Sequence, residues 1–212
     1  MELSTKLENY ILAHLDDEDP VLQELERDTF LNVLRPRMLS GHIQGSMLTM
    51  LSQMIHPKRI LEIGTYTGYS AICLAKGLQD QGYLHTIEIN DELEEMAQKY
   101  FEKAGLQHKI LQHIGDAKVI IPNLQEYFDL VFIDGDKRDY ATYFDLVIDK
   151  VPSGGILIAD NILWSGKVVE EVDPTDEQTR GILAFNQKVK EDPRVSQTIL
   201  PLRDGLMLIR KK

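Results

Sequence analysis

Asp134 ends the run Phe128-Asp-Leu-Val-Phe-Ile-Asp134, and Asp160 and Asn161 end the run Gly155-Ile-Leu-Ile-Ala-Asp160-Asn161. Each run reads as an apolar strand that delivers oxygen donors at its carboxyl end. Two carboxylates and an amide, with no cysteine or histidine beside them, suit a hard cation: Mg²⁺ first, then Mn²⁺ or Ca²⁺, rather than zinc. A single strand-end acid more often caps the next helix, but three such donors together weaken that reading. Lys137 follows in Asp134-Gly-Asp136-Lys137-Arg138. Close to a divalent cation its ammonium is disfavoured, which draws its pKa toward that of a general base and makes Lys137 and Asp134 the catalytic candidates. A surface lysine paired with Asp136 or Asp139 is the competing reading.

Upstream, Leu61-Glu62-Ile63-Gly64-Thr-Tyr66-Thr-Gly68-Tyr69-Ser70 joins a strand to a helix. Its glycines let a ligand approach the backbone at a helix N-terminus, so Gly64, Tyr66 and Ser70 are candidate cofactor contacts. The spacing is Gly-x-x-x-Gly, which lacks the Gly-x-Gly-x-x-Gly needed to cradle a pyrophosphate. Glu88 ends Leu84-His-Thr-Ile-Glu88, 24 residues past Gly64, where an acid can accept both ribose hydroxyls. A ribose acid without a pyrophosphate turn points to an adenosine ligand such as S-adenosylmethionine, whose cationic sulfonium and amine suit the acids Glu62 and Asp134. Asp116 and Ala117, past a third strand, are candidates for an adenine slot, with a plain helix start at Asp116 as the alternative. Trp164 is the only tryptophan. It walls an aromatic substrate pocket or packs in the core. The histidines, at 14, 42, 56, 85, 108 and 113, show no metal-ligand spacing.

These groups converge only if their strands share a sheet. From Arg59 the pattern alternates: strand 59–63, helix 69–80, strand 83–88, helix 91–104, strand 109–114, helix 117–122, strand 128–134, helix 139–149, strand 154–160 and helix 176–190. Val195 to Leu200 and Leu206 to Ile209, around Arg203-Asp-Gly205, read as a closing antiparallel hairpin. This predicts an α/β fold with a doubly wound, mostly parallel sheet. Leu3, Leu7, Tyr10 and Ile11, then Leu22 and Leu25, predict two short helices separated by Asp16-Asp-Glu-Asp-Pro20, a solvated turn and helix start. Ile43, Met47, Met50, Leu51 and Met54 predict a helix over 42–55, with the methionines as core filler. No repeat or linker divides the chain, so residues 1–212 form one expected domain, with helices over 1–57 and the sheet over 58–212.

At 212 residues and 43% hydrophobic the chain can bury a core unaided, and its net charge of −11 disfavours broad nucleic-acid or anionic-membrane surfaces. The lone Cys73, set among Ala71, Ile72, Leu74 and Ala75, reads as a buried helix residue and fits a reducing compartment. Neither a signal segment nor an apolar stretch of membrane-spanning length is visible, which predicts a cytoplasmic protein.

The stretches Glu62–Ser70, Phe132–Lys137, Ala159–Trp164 and Leu200–Gly205 together resemble the cation-dependent O-methyltransferases of the caffeoyl-CoA and catechol type, over residues 20–212. The resemblance implies a seven-stranded Rossmann-like methyltransferase sheet with added N-terminal helices, and a homodimer. It implies that Met38, Glu62, Gly64, Ser70, Glu88, Ala117, Asp134 and Asp136 contact S-adenosylmethionine, that Asp134, Asp160 and Asn161 hold the metal, and that Lys137 assists deprotonation. The expected reaction is methylation of one hydroxyl of a small catechol-like aromatic. The plant acyl-CoA enzymes carry Arg and Tyr beyond the tryptophan, where this chain has the acidic Val168-Val-Glu-Glu-Val-Asp-Pro-Thr-Asp176, which argues against a CoA thioester. Animal catechol enzymes have His and Trp between the metal Asp and the Lys, where Gly135 and Asp136 stand here. Three other functions remain open at this point. One is methylation of a hydroxylated tRNA nucleoside, which would use a basic groove of Arg35, Arg37, Lys58 and Arg59. The others are a non-catalytic S-adenosylmethionine-binding protein and, disfavoured by the missing Gly-x-Gly, a nicotinamide dehydrogenase.

Overall fold

The computed structural model describes residues 4–212. Seven strands form one sheet: β1 (Arg59–Ile63), β2 (Tyr83–Glu88), β3 (Ile110–Ile114), β4 (Leu130–Ile133), β5 (Ile156–Ala159), β6 (Val195–Leu200) and β7 (Leu206–Lys211). Their order is β3-β2-β1-β4-β5-β7-β6. The first five are parallel, β7 runs antiparallel to β5, and β6 closes the edge as a hairpin with β7. The order reverses between β1 and β4, so a crevice opens past their carboxyl ends, where ligands of such sheets bind.

Alternate residues of β4 serve the two faces: Val131 and Ile133 join a core with Phe128, Phe144 and Phe185, while Leu130 and Phe132 join one with Tyr69, Tyr100 and Leu48. Helices α6 (Ala117–Asn123), α7 (Tyr140–Ile148) and α8 (Glu177–Glu191) supply residues to the first core. The second is covered by α2 (Pro20–Asn32), α3 (Gly41–Ile55), α4 (Tyr69–Ala75) and α5 (Glu94–Lys103). The acidic run before α2 is the expected helix start, with Asp19 accepting the Val21 N–H at 2.9 Å and Pro20 opening the helix. Cys73 is buried, and burial pushes its thiol up to about 12, so it is inert packing.

Two expectations are corrected. The helix expected over 69–80 ends at Ala75, where the chain passes into turns in which the Gly77 and Leu78 N–H groups reach back three residues, and Gly77, a poor helix former, lies against the backbone of Ser52. The methionines of α3 are not core: Met50 and Met54 are 54% and 74% exposed, and the buried face carries Gln44, Gly45, Leu48 and Ser52. Small and polar residues win that face because α3 hydrogen-bonds α4, with Ser52 Oγ donating to the Leu74 carbonyl at 2.6 Å and Thr49 Oγ1 to that of Cys73 at 3.2 Å. Helix α1 (Thr5–Leu12) exists but buries none of its residues, and Leu3 of the expected stripe lies outside the described residues. No described helix is long and apolar enough to cross a membrane.

Candidate active site

A cleft of about 1030 Å³ opens at the carboxyl ends of the parallel strands. Met38, Gly64, Tyr66, Ser70, Glu88, Asp116, Ala117, Asp134, Asp136, Lys137, Asp160, Asn161 and Trp164 all line it.

The glycine turn after β1 forms one wall. Gly64 has φ of 103°, and a Cβ there would fall on the Asp134 carbonyl, so glycine alone lets the ends of β1 and β4 close together. Tyr66, with φ of 50°, donates its backbone N–H to Glu88 Oε2 at 2.7 Å, while Asn90 N–H reaches Glu88 Oε1 at 2.9 Å. Both oxygens of Glu88 are thereby oriented, each with a lone pair left to accept a further hydroxyl. Asp116 caps α6 through the Lys118 N–H at 2.8 Å, the expected helix start, and also lines the cleft beside Ala117.

Glu62 is the exception among the expected contacts. It has no exposed surface and does not line the cleft. Ser70 Oγ and Thr86 Oγ1 donate to its two oxygens at 2.6 Å each. Burial pushes its pKa up to about 8, the hydroxyls offsetting only part of the desolvation.

The opposite wall carries the acids. Asp134 N–H donates to the Ile63 carbonyl at 2.8 Å and Asp160 N–H to that of Ile133 at 3.0 Å, which continues the ladder one residue past β4 and β5. The paired strands therefore deliver two carboxylates side by side. Asp160 is 4% exposed, and burial, then the Asp134 charge, raises its pKa to about 6. Its Oδ1 accepts the Asn161 N–H at 2.6 Å, and Asn161 itself adopts a left-handed φ of 58°. Lys137 is buried, with Nζ 2.7 Å from Asp134 Oδ1 and 2.8 Å from the Tyr140 hydroxyl. The surface pairing considered for it is taken by others: Arg138 holds Asp136 and Lys118 holds Asp139.

Among the described residues no three histidine, cysteine or carboxylate side chains are grouped to hold a metal. A cation here would rest on two carboxylates, the Asn161 amide and water. That donor set fits Mg²⁺, which keeps several waters and takes one or two carboxylates, and the buried Asp160 beside the half-buried Asp134 charge favours a positive partner.

The chain matches the O-methyltransferase family model over residues 13–212. It belongs to the O-methyltransferase family. A probable caffeoyl-CoA O-methyltransferase 2 of Dictyostelium discoideum is 32% identical over 100% of this chain and 94% of its own length. Caffeoyl-CoA O-methyltransferase 5 of Nicotiana tabacum is 36% identical over 82% of this chain and 77% of its own. An O-methyltransferase from Bacillus cereus, solved in complex with SAH, superposes with a TM-score of 0.91 at 30% identity, covering 98% of both chains. The enzyme is thus an O-methyltransferase, and its sheet is the Rossmann-like one expected.

Three residues of the O-methyltransferase site escaped the sequence reading: Gln44, Tyr140 and Arg203. Gln44 Nε2 donates to Asp160 Oδ2 at 2.5 Å, and the Tyr140 hydroxyl lies 3.1 Å from the Asp160 carbonyl. A signal for Gln44 existed in its spacing, since Gln44, Leu48 and Ser52 recur at four-residue intervals on one helix face. The basic groove imagined for tRNA does not form. Arg35 and Arg37 line the cleft, whereas Lys58 and Arg59 stand at the start of β1, the far end of the sheet, with Arg59 over the Tyr83 ring.

Proposed function

We propose that this S-adenosylmethionine-dependent O-methyltransferase methylates one hydroxyl of a small aromatic vicinal diol at a divalent cation, Mg²⁺ first, held by Asp134, Asp160 and Asn161. The observation that carries the reading is the pair of adjacent carboxylates, half-buried Asp134 and buried Asp160, facing the same cleft as the adenosine-type turn and next to Lys137. A cation bound there supplies Lewis acidity, which lowers the pKa of a hydroxyl it polarises.

The chain's own residues do the rest. Glu88 accepts the ribose hydroxyls, and the backbone around Gly64 lets the methionine portion of the donor lie against the turn. Lys137 takes the proton of the attacking hydroxyl at Nζ. The ammonium it becomes is stabilised by Asp134, 2.7 Å away. The acceptor oxygen then forms its bond to the methyl carbon as the carbon–sulfur bond breaks, and S-adenosylhomocysteine leaves as a neutral thioether. Trp164, half-buried on the cleft wall, flanks the aromatic ring. Holding nucleophile and methyl at attack distance is worth up to about 7–11 kcal/mol of the barrier. The homodimer implied by the resemblance belongs to the same proposal and is read by sedimentation.

The test is an acceptor panel of catechol, its singly hydroxylated analogues and unmodified tRNA. Only vicinal diols should be methylated, once each. Equal turnover of phenol, or methyl incorporation into tRNA, overturns the reading.

A further inference from the structure

Asp160 is presented to the cleft in part by Gln44, which does not line it. Gln44 is 1% exposed, sits on the buried face of α3, and places Nε2 2.5 Å from Asp160 Oδ2. A carboxamide has two unlike ends, and which faces the acid matters. Arg203 Nη1 lies 3.2 Å from Gln44 Oε1, and a guanidinium only donates, so that end must be the oxygen and the end toward Asp160 must be the NH₂. The same guanidinium donates to the carbonyl oxygens of Leu39 and Ser40, where the chain enters α3.

Arg203 comes from the β6–β7 turn, and its neighbours hold the other side of the acid. The Asp204 carbonyl accepts the Leu163 N–H at 2.9 Å, the Gly205 carbonyl accepts that of Ile162 at 3.1 Å, and the Asp204 carboxylate accepts that of Ser165. One hairpin turn therefore clamps both α3 and the loop that follows Asp160.

We propose that Gln44, keyed by Arg203, is a positioning residue that fixes the Asp160 carboxylate for the cation; the inference rests on the metal reading above. With Asn161 N–H on Oδ1 and Gln44 on Oδ2, the chain fills one lone pair of each oxygen and leaves the others to offer. Remove Gln44, and a buried carboxylate loses a donor and is free to rotate.

The experiment is a Mn²⁺ titration of the full-length enzyme without acceptor, read by electron paramagnetic resonance, with S-adenosylhomocysteine affinity and melting temperature measured in parallel. Gln44→Met should weaken Mn²⁺ binding about 10- to 100-fold and leave S-adenosylhomocysteine affinity within about threefold. Gln44→Asn keeps the amide but withdraws it by one methylene; it should show the same loss and covers the case of a Met variant that fails to fold. Arg203→Met should weaken Mn²⁺ binding in the same direction, and the double variant should fall short of the sum of the two losses. Parent-like Mn²⁺ affinity in both Gln44 variants, with Asp160→Asn defective, overturns this inference alone. Fully additive losses overturn the role of Arg203 as the key. A parent enzyme that binds Mn²⁺ no better than Asp160→Asn overturns the metal reading, and this inference with it.

Discussion

Glu62 and Asp160 are both buried acids near the carboxyl ends of the parallel strands, and both have raised pKa values, yet their surroundings differ. Glu62 has a hydroxyl on each oxygen and no opening to the cleft, although the Asp134 and Glu88 charges act on it too. Asp160 faces the cleft beside a second carboxylate and is held by donors that leave lone pairs unfilled. Burial alone therefore does not mark a functional acid. The distinguishing feature is an incomplete coordination turned toward an open space. Glu62 locks the glycine turn to β2, and Asp160 keeps capacity for a ligand.

The sharpest way to break this contrast is to remove each acid in turn. Asp160→Ala should abolish methyl transfer in a steady-state assay while S-adenosylhomocysteine affinity by calorimetry stays within about threefold; surviving turnover removes Asp160 from the site. Lys137→Met, which deletes the base but neither strand-end acid, should lower kcat about 100- to 10,000-fold with Mn²⁺ affinity retained. Gly64→Ala forces a side chain into the Asp134 carbonyl at a φ of 103°, so it should lower stability by about 2–4 kcal/mol in urea unfolding and weaken cofactor binding as well.

Glu62→Gln should have the smallest effect on catalysis and a distinctive one on stability. Its folded pKa of about 8 lies above the ordinary 4.5, so the native state holds a proton that the unfolded state releases between those values. The parent's stability is then full below about pH 4.5 and declines as the pH rises toward 8. The amide cannot ionise, so Glu62→Gln should gain on the order of 4 kcal/mol relative to the parent at pH 8 compared with pH 4.5. Cofactor affinity should stay within about threefold of the parent. A loss beyond tenfold would restore Glu62 as a direct contact and erase the contrast with Asp160.

The middle of the sheet was readable from sequence because β4 and β5 are short apolar runs bounded by turn residues, and the acids at 134 and 160 stand one residue past their ends. Glu62 differs from the expected cofactor contact because a strand alternates its faces with a two-residue period. Between Leu61 and Ile63, it must point to the opposite face, against α4 and under the turn. Gln44 and Arg203 escaped for another reason. Their partners are 116 and 159 residues away along the chain, and only the closed sheet brings the first helices, the strand end and the last hairpin together. The methionine stripe of α3 misled because helical periodicity shows that a helix has an apolar face, not which face the neighbour takes.

The central claim is that methyl transfer needs a cation on Asp134, Asp160 and Asn161, and it is tested most directly with enzyme stripped of metal. Assayed with S-adenosylmethionine and catechol in excess EDTA, this enzyme should be silent and should regain turnover when Mg²⁺ is added beyond the chelator. Full activity in EDTA, unchanged by Mg²⁺, would contradict it.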